Sequence, residues 1–177
     1  MDKLYESSLS DLYQSAVDAY PKTTLRQHAT QPVVITQLHW TPYVGMKTLF
    51  VKGIAQNEGK EYSPIILFKN INFDAQELPE IVQLFASNGQ LYEFEQLSIE
   101  KTQTVVRCNC PDFRWRFAYY NHVDESLYGR KPAKYERTTN RPPANPSEMP
   151  GMCKHLIKMQ EVLQQTNLFK EISVSPS

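Results

Sequence analysis

The sequence predicts an α+β fold, in which a small antiparallel β-sheet domain with flanking helices precedes a second module that contains all the cysteines. Three observations indicate this fold class. Short β-branched segments, punctuated by Gly and Pro, are typical of strands in a small antiparallel sheet. Apolar residues at helical spacing near both ends of the chain predict helices. Two close pairs of metal-ligand residue types lie in the second half of the chain.

The first half of the chain contains one predicted helix and three predicted strands. Residues 4–17 contain apolar side chains at helical spacing, and Pro21 follows this segment. These side chains are Leu9, Leu12, Tyr13, Ala16 and Val17. We predict strands over 33–38, 47–55 and 62–68, with a turn at 57–59 before the third strand. Together these elements predict a small antiparallel or barrel-like sheet.

The elements that follow are expected to lead into the second module. Apolar residues between Ala75 and Ala86 predict a short helix that ends at Ser87-Asn88-Gly89. Residues 90–97 and 102–108 alternate in polarity, which predicts that they pair as a hairpin. A last helix is predicted over 152–165. These elements divide the chain into an N-terminal α+β domain, residues 1–88, and a second module, residues 89–177.

All three cysteines belong to one pattern. Cys108-x-Cys110 and Cys153-x-His155 are separated by residues 111–152. Three thiolates and one imidazole are a standard ligand set for a closed, four-coordinate structural Zn²⁺ site. A closed site has no open position for water or substrate, so one such ion would hold the fold rather than take part in a reaction.

The local sequence indicates how the two pairs would meet. Pro150-Gly151 ends the preceding loop, and a helix then begins whose first turn would direct Cys153 and His155 towards one ion. The predicted site is a hairpin that carries Cys108 and Cys110, clamped by zinc to the N-terminus of this helix. Two alternatives remain open at this point: a [2Fe–2S] cluster, and three buried cysteines without a metal.

The residues around the two pairs resemble a known family. Cys108-Asn109-Cys110-Pro111-Asp112-Phe113, followed by Met152-Cys153-Lys154-His155-Leu156-Ile157, is similar to the SWIM zinc finger, although the spacer here is longer than is usual in that family. This resemblance implies that Cys108, Cys110, Cys153 and His155 are the zinc ligands. SWIM modules are associated both with DNA binding and with protein–protein contact.

The charge distribution divides the chain. The formal net charge is zero, but residues 1–100 carry 7 basic against 12 acidic residues, whereas residues 101–158 carry 11 against 5. The metal-ligand region is therefore the basic part of the molecule. Such an asymmetry favours nucleic acid or an acidic protein surface as a partner, or a charge-matched contact between the two halves of the chain.

The spacer between the ligand pairs contains the candidate partner-binding residues. Residues 112–120 interleave arginines with aromatic residues, either on a strand or on a helix capped by Asp112. Either form suits base stacking or a small core beside the metal. The segment 121–151 is predicted to be a long loop that becomes basic and proline-rich after residue 128. The candidate partner-binding residues are Arg114, Arg116, Arg130, Lys131, Lys134, Arg137 and Arg141.

The sequence contains no motif of an enzyme. P-loop, Gly-x-Gly-x-x-Gly, Gly-x-Ser-x-Gly and His-Glu-x-x-His patterns are missing, and so is the His-x-Glu element of the zinc deaminases. We therefore predict a non-enzymatic protein without a small-molecule substrate. No apolar run of about 18 residues and no signal sequence is present, which predicts a cytoplasmic site of synthesis and no membrane partner.

The predicted role is an assembly or interaction component with one structural zinc ion, whose partners are other protein subunits. Tyr20 to Thr24, Arg26 to His28 and Gly45 to Phe50 are faintly similar to small proteins of tailed bacteriophages. This similarity implies a phage virion or its assembly machinery as the location. The alternative function is nucleic-acid binding through the basic zinc module.

Overall fold

The computed structural model describes residues 6–19, 33–74, 80–133 and 145–170. The helices are α1 (Leu9–Ala19), α2 (Pro111–Arg116), α3 (Ala118–Val123) and α4 (Lys154–Gln164). The strands are β1 (Val34–Tyr43), β2 (Thr48–Asn57), β3 (Lys60–Tyr62), β4 (Ile65–Phe68), β5 (Ile81–Phe85), β6 (Leu91–Glu95) and β7 (Thr104–Arg107). This mixture of helices and antiparallel strands confirms the predicted α+β class.

The main sheet is antiparallel and has the order β1-β2-β4-β7, with β3 paired to the far end of β2. Strand β2 is central because it pairs with β1 along one side and with β3 and β4 along the other. Strand β7 pairs with β4, with Ile66 opposite Val106. This pairing places the residue after β7 at the same end of the sheet as the β2–β3 hairpin.

A tight turn fixes the β2–β3 hairpin. Glu58 and Gly59 are its two central residues, and their φ values are 53° and 77°. Positive φ at both central positions defines a type I′ turn, whose twist matches that of antiparallel strands. The turn sets Asn57 opposite Lys60 and Ala55 opposite Tyr62. The predicted strands at 33–38, 47–55 and 62–68 and the turn at 57–59 are confirmed as β1, β2 and the β3–β4 region.

The predicted helix over 75–86 is wrong for its described part, because residues 81–85 form β5. Val82 is buried while Ile81 and Phe85 are exposed, which is the two-residue period of a strand. Ser87-Asn88-Gly89 is the loop of a β5–β6 hairpin, and Gly89 adopts a φ of 81°. Residues 75–79 lie outside the described residues.

The predicted pairing of residues 90–97 with 102–108 is also wrong. Strand β6 pairs with β5 in a separate two-stranded sheet, and β7 joins the main sheet beside β4. Both segments have the alternating polarity of strands, but this pattern does not specify which strand each one pairs with. Cys108 and Cys110 therefore follow a strand of the main sheet rather than a local hairpin.

Capping residues mark where α1 and α2 begin. Ser8 caps α1, since its Oγ accepts from the backbone N of Asp11 at 3.2 Å while Asp11 accepts from the backbone N of Ser8 at 3.0 Å. Residues 112–120 form parts of α2 and α3 rather than a strand. Cys110 rather than Asp112 is the N-cap residue of α2. The helices predicted near both ends are confirmed as α1 and α4.

One hydrophobic core joins elements from both halves of the sequence. It contains buried residues of α1, the main sheet, the β5–β6 hairpin, α2 and α4, among them Leu12, Ile66, Phe94, Phe113 and Leu156. The division of the chain at residue 88 stays a prediction, and β7 and this shared core cross it. None of the helices among the described residues has the length and hydrophobicity needed to span a bilayer.

Candidate metal centre

The first ligand pair lies at a strand-to-helix junction. Strand β7 ends at Arg107, Cys108 follows directly, and Cys110 is the N-cap of α2. Pro111 occupies the first helical position, where its missing N–H costs no hydrogen bond. The predicted hairpin for this pair is therefore corrected to a sharp turn between a strand and a short helix.

The second pair lies at the start of α4, as the sequence predicts. Cys153 is the N-cap residue, and His155 is the second residue of the helix. The chain reaches this point through Gly151, whose backbone is held on both sides by Asn121. The side-chain oxygen of Asn121 accepts from Gly151 N at 2.8 Å, and its amide nitrogen donates to Gly151 O at 3.1 Å.

The four side chains converge on one point. One ligand atom from each of Cys108, Cys110, Cys153 and His155 lies within 4.8 Å of every other. Nδ1 of His155 is 3.9 Å from Cys108 Sγ and 3.8 Å from Cys153 Sγ. Zn–S and Zn–N bonds of ordinary length require sulfur–nitrogen separations of about 3.6 Å in a tetrahedral site. The four donor atoms therefore fit around one metal ion if they move slightly closer together.

All four ligand residues are buried. The exposed fractions are 3% for Cys108, 1% for Cys110, 0% for Cys153 and 2% for His155. Four protein donors in a closed, water-excluding pocket complete the coordination that Zn²⁺ prefers and leave no position for a substrate. The group could thus bind one metal ion, and it suggests a structural zinc role.

In the metal-free protein, the surroundings of the three cysteines shift their pKa values in opposite directions. Burial raises the pKa of the Cys108 and Cys153 thiols above their ordinary value of 9.0. The pKa of Cys110 is lowered, because Cys108 and Cys153 donate hydrogen bonds to its sulfur. The backbone N of Phe113 also donates to Cys110 Sγ, at 3.3 Å. These contacts favour a thiolate at Cys110, which is the form that binds metal.

An ion pair lies beside the ligands. Arg116 Nε is 3.0 Å from Asp112 Oδ1, one turn along α2. Burial raises the pKa of Asp112 to about 6, against the opposing effect of Arg116. This arginine was predicted to bind a partner, but its side chain is half-buried and engaged with Asp112.

The other predicted partner-binding residues are placed differently from one another. Arg114 is exposed, and its guanidinium lies 4.8 Å from the centre of the Trp115 ring. Arg130 and Lys131 are exposed on the segment after α3, and the carbonyl of Arg130 accepts from Arg107 at 2.9 Å. Three further candidates lie outside the described residues: Lys134, Arg137 and Arg141.

The predicted loop over 121–151 is ordered at both of its described ends. Residues 121–123 belong to α3, and Leu127 forms a bridge to Val106 of β7. At the other end, the amide nitrogen of Asn145 donates to Arg116 O at 3.0 Å and to Met149 O at 2.8 Å. The described part of the spacer is therefore packed against the metal-ligand elements.

Sequence reasoning missed three residues that support the centre. Asn121 holds the backbone of Gly151, Tyr62 lies against the His155 ring with 4.5 Å between ring centres, and Asn57 approaches the same ring from β2. No local pattern identifies the two asparagines, because their partners are distant in sequence. The turn Asn57-Glu58-Gly59-Lys60 was the one available signal, and it indicates a hairpin rather than a metal contact.

Searches against protein-family models, curated proteins and solved structures found no match to this chain. The buried group of three cysteines and one histidine is compatible with a zinc module. The more specific similarities, to SWIM fingers and to bacteriophage proteins, stay predictions from the sequence.

Proposed function

We propose that this chain is a non-enzymatic protein in which one Zn²⁺ joins the end of β7 to the start of α4, and that the unit so formed serves in protein–protein assembly. The observation that carries the proposal is the closed donor set, in which three sulfurs and one imidazole nitrogen converge in a buried pocket. Such a site supplies folding free energy and no reactive position.

The placement of the ligands supports a mainly structural role for the metal. The two pairs are separated by the 42 residues 111–152, and each lies where a regular element begins or ends. A metal bound there would tie the edge strand β7 to α4, whose buried face packs on β1 and β2. Structural zinc contributes about 10 kcal/mol or more in small metal-folded modules.

The spacing of the donors favours a single ion over an iron–sulfur cluster. A [2Fe–2S] cluster places two irons and two bridging sulfides between its protein ligands, which spreads those ligands apart. Here the donors are gathered within 4.8 Å. Three thiolates and one imidazole around a single ion are the ligands of a structural zinc site.

Exposed apolar residues on the β5–β6 hairpin support a role in protein contact. Phe85 and Leu91 lie directly opposite each other next to the hairpin loop, and their exposed fractions are 73% and 48%. Aromatic and aliphatic pairs exposed in this way are typical of surfaces that contact other proteins. The proposed partners are other protein subunits, and a phage virion or its assembly machinery is the location suggested by the sequence similarity.

The closed site can be tested with Co²⁺ in place of zinc, because the visible spectrum of Co²⁺ reports its ligands. We expect the cobalt-loaded protein to show a four-coordinate spectrum that does not change when azide or imidazole is added. The variant His155→Ala is the matched control, because it removes one ligand and should respond to added imidazole. A wild-type spectrum that shifts with added azide would reveal an open position and contradict the non-enzymatic proposal.

Nucleic-acid binding is the second candidate, and one observation favours it. Arg114 and Trp115 are both exposed on α2, and the guanidinium stacks over the indole ring. An exposed arginine–aromatic pair can stack on bases and contact phosphates. A salt titration against fluorescent single-stranded and duplex DNA tests this candidate. Binding that weakens steeply with salt and is lost in Arg114→Glu would support it, and no binding at low salt would exclude it.

A further inference from the structure

The imidazole of His155 has two distinct sides. Nδ1 faces the sulfurs of Cys108 and Cys153 at 3.9 and 3.8 Å. Nε2 points away from them, towards Asn57 of β2. If the metal is bound through Nδ1, the ring must carry its proton at Nε2, and that N–H needs an acceptor. Metal-bound histidines almost always donate this second N–H to an oxygen, which fixes the ring.

Asn57 is placed to be that acceptor. Its side chain is buried, and its amide nitrogen lies 3.5 Å from Nε2 of His155. Its carbonyl oxygen Oδ1 is also buried and has no hydrogen-bond partner among the described residues. Since the oxygen and nitrogen of an amide are nearly equal in size, a 180° turn of the group exchanges them without altering the packing.

The exchange resolves a conflict that metal binding would create. With Nε2 protonated, the present orientation sets two N–H donors against each other. The turned amide instead presents Oδ1 to Nε2–H, and a shift of about 0.5 Å brings the two atoms to the 3.0 Å of an ordinary N–H···O bond. The hydrogen bond would then satisfy the orphaned oxygen and hold the imidazole with Nδ1 towards the sulfurs.

We propose that Asn57 is a positioning residue of the metal centre, whose side-chain oxygen accepts the Nε2–H of His155 when metal is bound. This inference rests on the proposed structural-zinc function. Tyr62 completes the arrangement, because its ring lies against the imidazole at 4.5 Å and a 34° tilt. Asn57 and Tyr62 belong to the same β2–β3 hairpin, so the type I′ turn sets both of them beside the ligand.

The test compares two substitutions in the full-length zinc protein. Asn57→Leu keeps the approximate shape but removes the acceptor, and Asn57→Asp keeps an acceptor oxygen. We expect Asn57→Leu to lower zinc affinity by about 10- to 100-fold in competition with a chelator. We expect Asn57→Asp to stay within a few-fold of the wild type. Val51→Ala is the control, because this buried residue of the same strand lies six residues from Asn57 and its truncation destabilises the core while leaving the Asn57 side chain in place.

A second readout separates positioning from general stability. In ¹⁵N-edited NMR spectra of the zinc-loaded protein, we expect the Nε2–H signal of His155 to be present and slow to exchange in the wild type, Asn57→Asp and Val51→Ala. It should exchange rapidly in Asn57→Leu. Wild-type zinc affinity and an unchanged Nε2–H signal in Asn57→Leu would overturn this inference alone. A wild-type protein that binds no zinc would overturn the proposed function, and this inference with it.

Discussion

The close approach of Gly151 to Phe117, which lies between α2 and α3, and to Ala16 of α1 provides a quantitative test of the packing around the metal centre. A Cβ atom built on Gly151 would lie 2.7 Å from Cε1 and 3.0 Å from Cδ1 of Phe117, and 3.1 Å from Cβ of Ala16. The Phe117 ring is 2% exposed, so it has little room to move aside. The backbone of Gly151 also donates one hydrogen bond to the Asn121 side chain and accepts another from it, which restrains its position.

We therefore expect Gly151→Ala to lower the free energy of unfolding by about 1–3 kcal/mol, the usual cost of one added carbon in a tightly packed core. The measurement is the midpoint of urea unfolding of the zinc-loaded protein, followed by tyrosine and tryptophan fluorescence. Because Gly151 lies two residues before Cys153, the same variant should also release zinc to a chelator more readily than the wild type.

Gly45→Ala is the matched control. Nothing lies within 4 Å of a Cβ built there, and its φ is not positive. The same substitution should therefore be neutral or stabilise the protein by up to about 1 kcal/mol, through the lower entropy of the unfolded chain. Equal stability of Gly151→Ala and Gly45→Ala would refute the close packing of this loop against Phe117.

Three further predictions concern the support of the site, its acidity and the exposed surface of the β5–β6 hairpin. Asn121→Ala removes both bonds to Gly151 and should cost about 2–4 kcal/mol in urea unfolding, and a loss below 0.5 kcal/mol would exclude this anchoring role. In the metal-free protein, the raised pKa values of Cys108 and Cys153 mean that the unfolded chain ionises first, so stability should fall as pH rises above about 9. Metal-free unfolding curves at pH 8.5 and 10.5 test this, and no loss at the higher pH would contradict it. Phe85→Ser should change the free energy of unfolding by less than about 0.5 kcal/mol but weaken any protein contact made by the hairpin, which analytical ultracentrifugation with the partner would detect.

The ligand set could be predicted from the sequence because coordination chemistry restricts both residue type and spacing. Cys108, Cys110, Cys153 and His155 were identified from two short motifs, and the structure gathers them in one pocket. The start of α4 was predictable for a related reason, since Pro150-Gly151 interrupts the chain just before an amphipathic segment. Local signals of this kind do not depend on the rest of the fold.

The wrong predictions concern segments whose local sequence pattern fits two different structures. Residues 81–85 suit either a helix or a strand by composition, and pairing with β6 across the Gly89 turn selects the strand. The hairpin predicted before Cys108 failed because alternation identifies a strand without identifying its neighbour, and β7 pairs with the distant β4. Asn57 is 98 residues from His155, so its contact is a product of the sheet topology and could not be read from the sequence.

The metal content of the purified protein tests the central claim most directly. Native mass spectrometry with elemental analysis should find one Zn²⁺ per chain in the wild type, and no retained zinc in Cys110→Ser after the same purification. Wild-type protein that is folded as purified, has all three cysteines reduced and carries no metal would contradict the account.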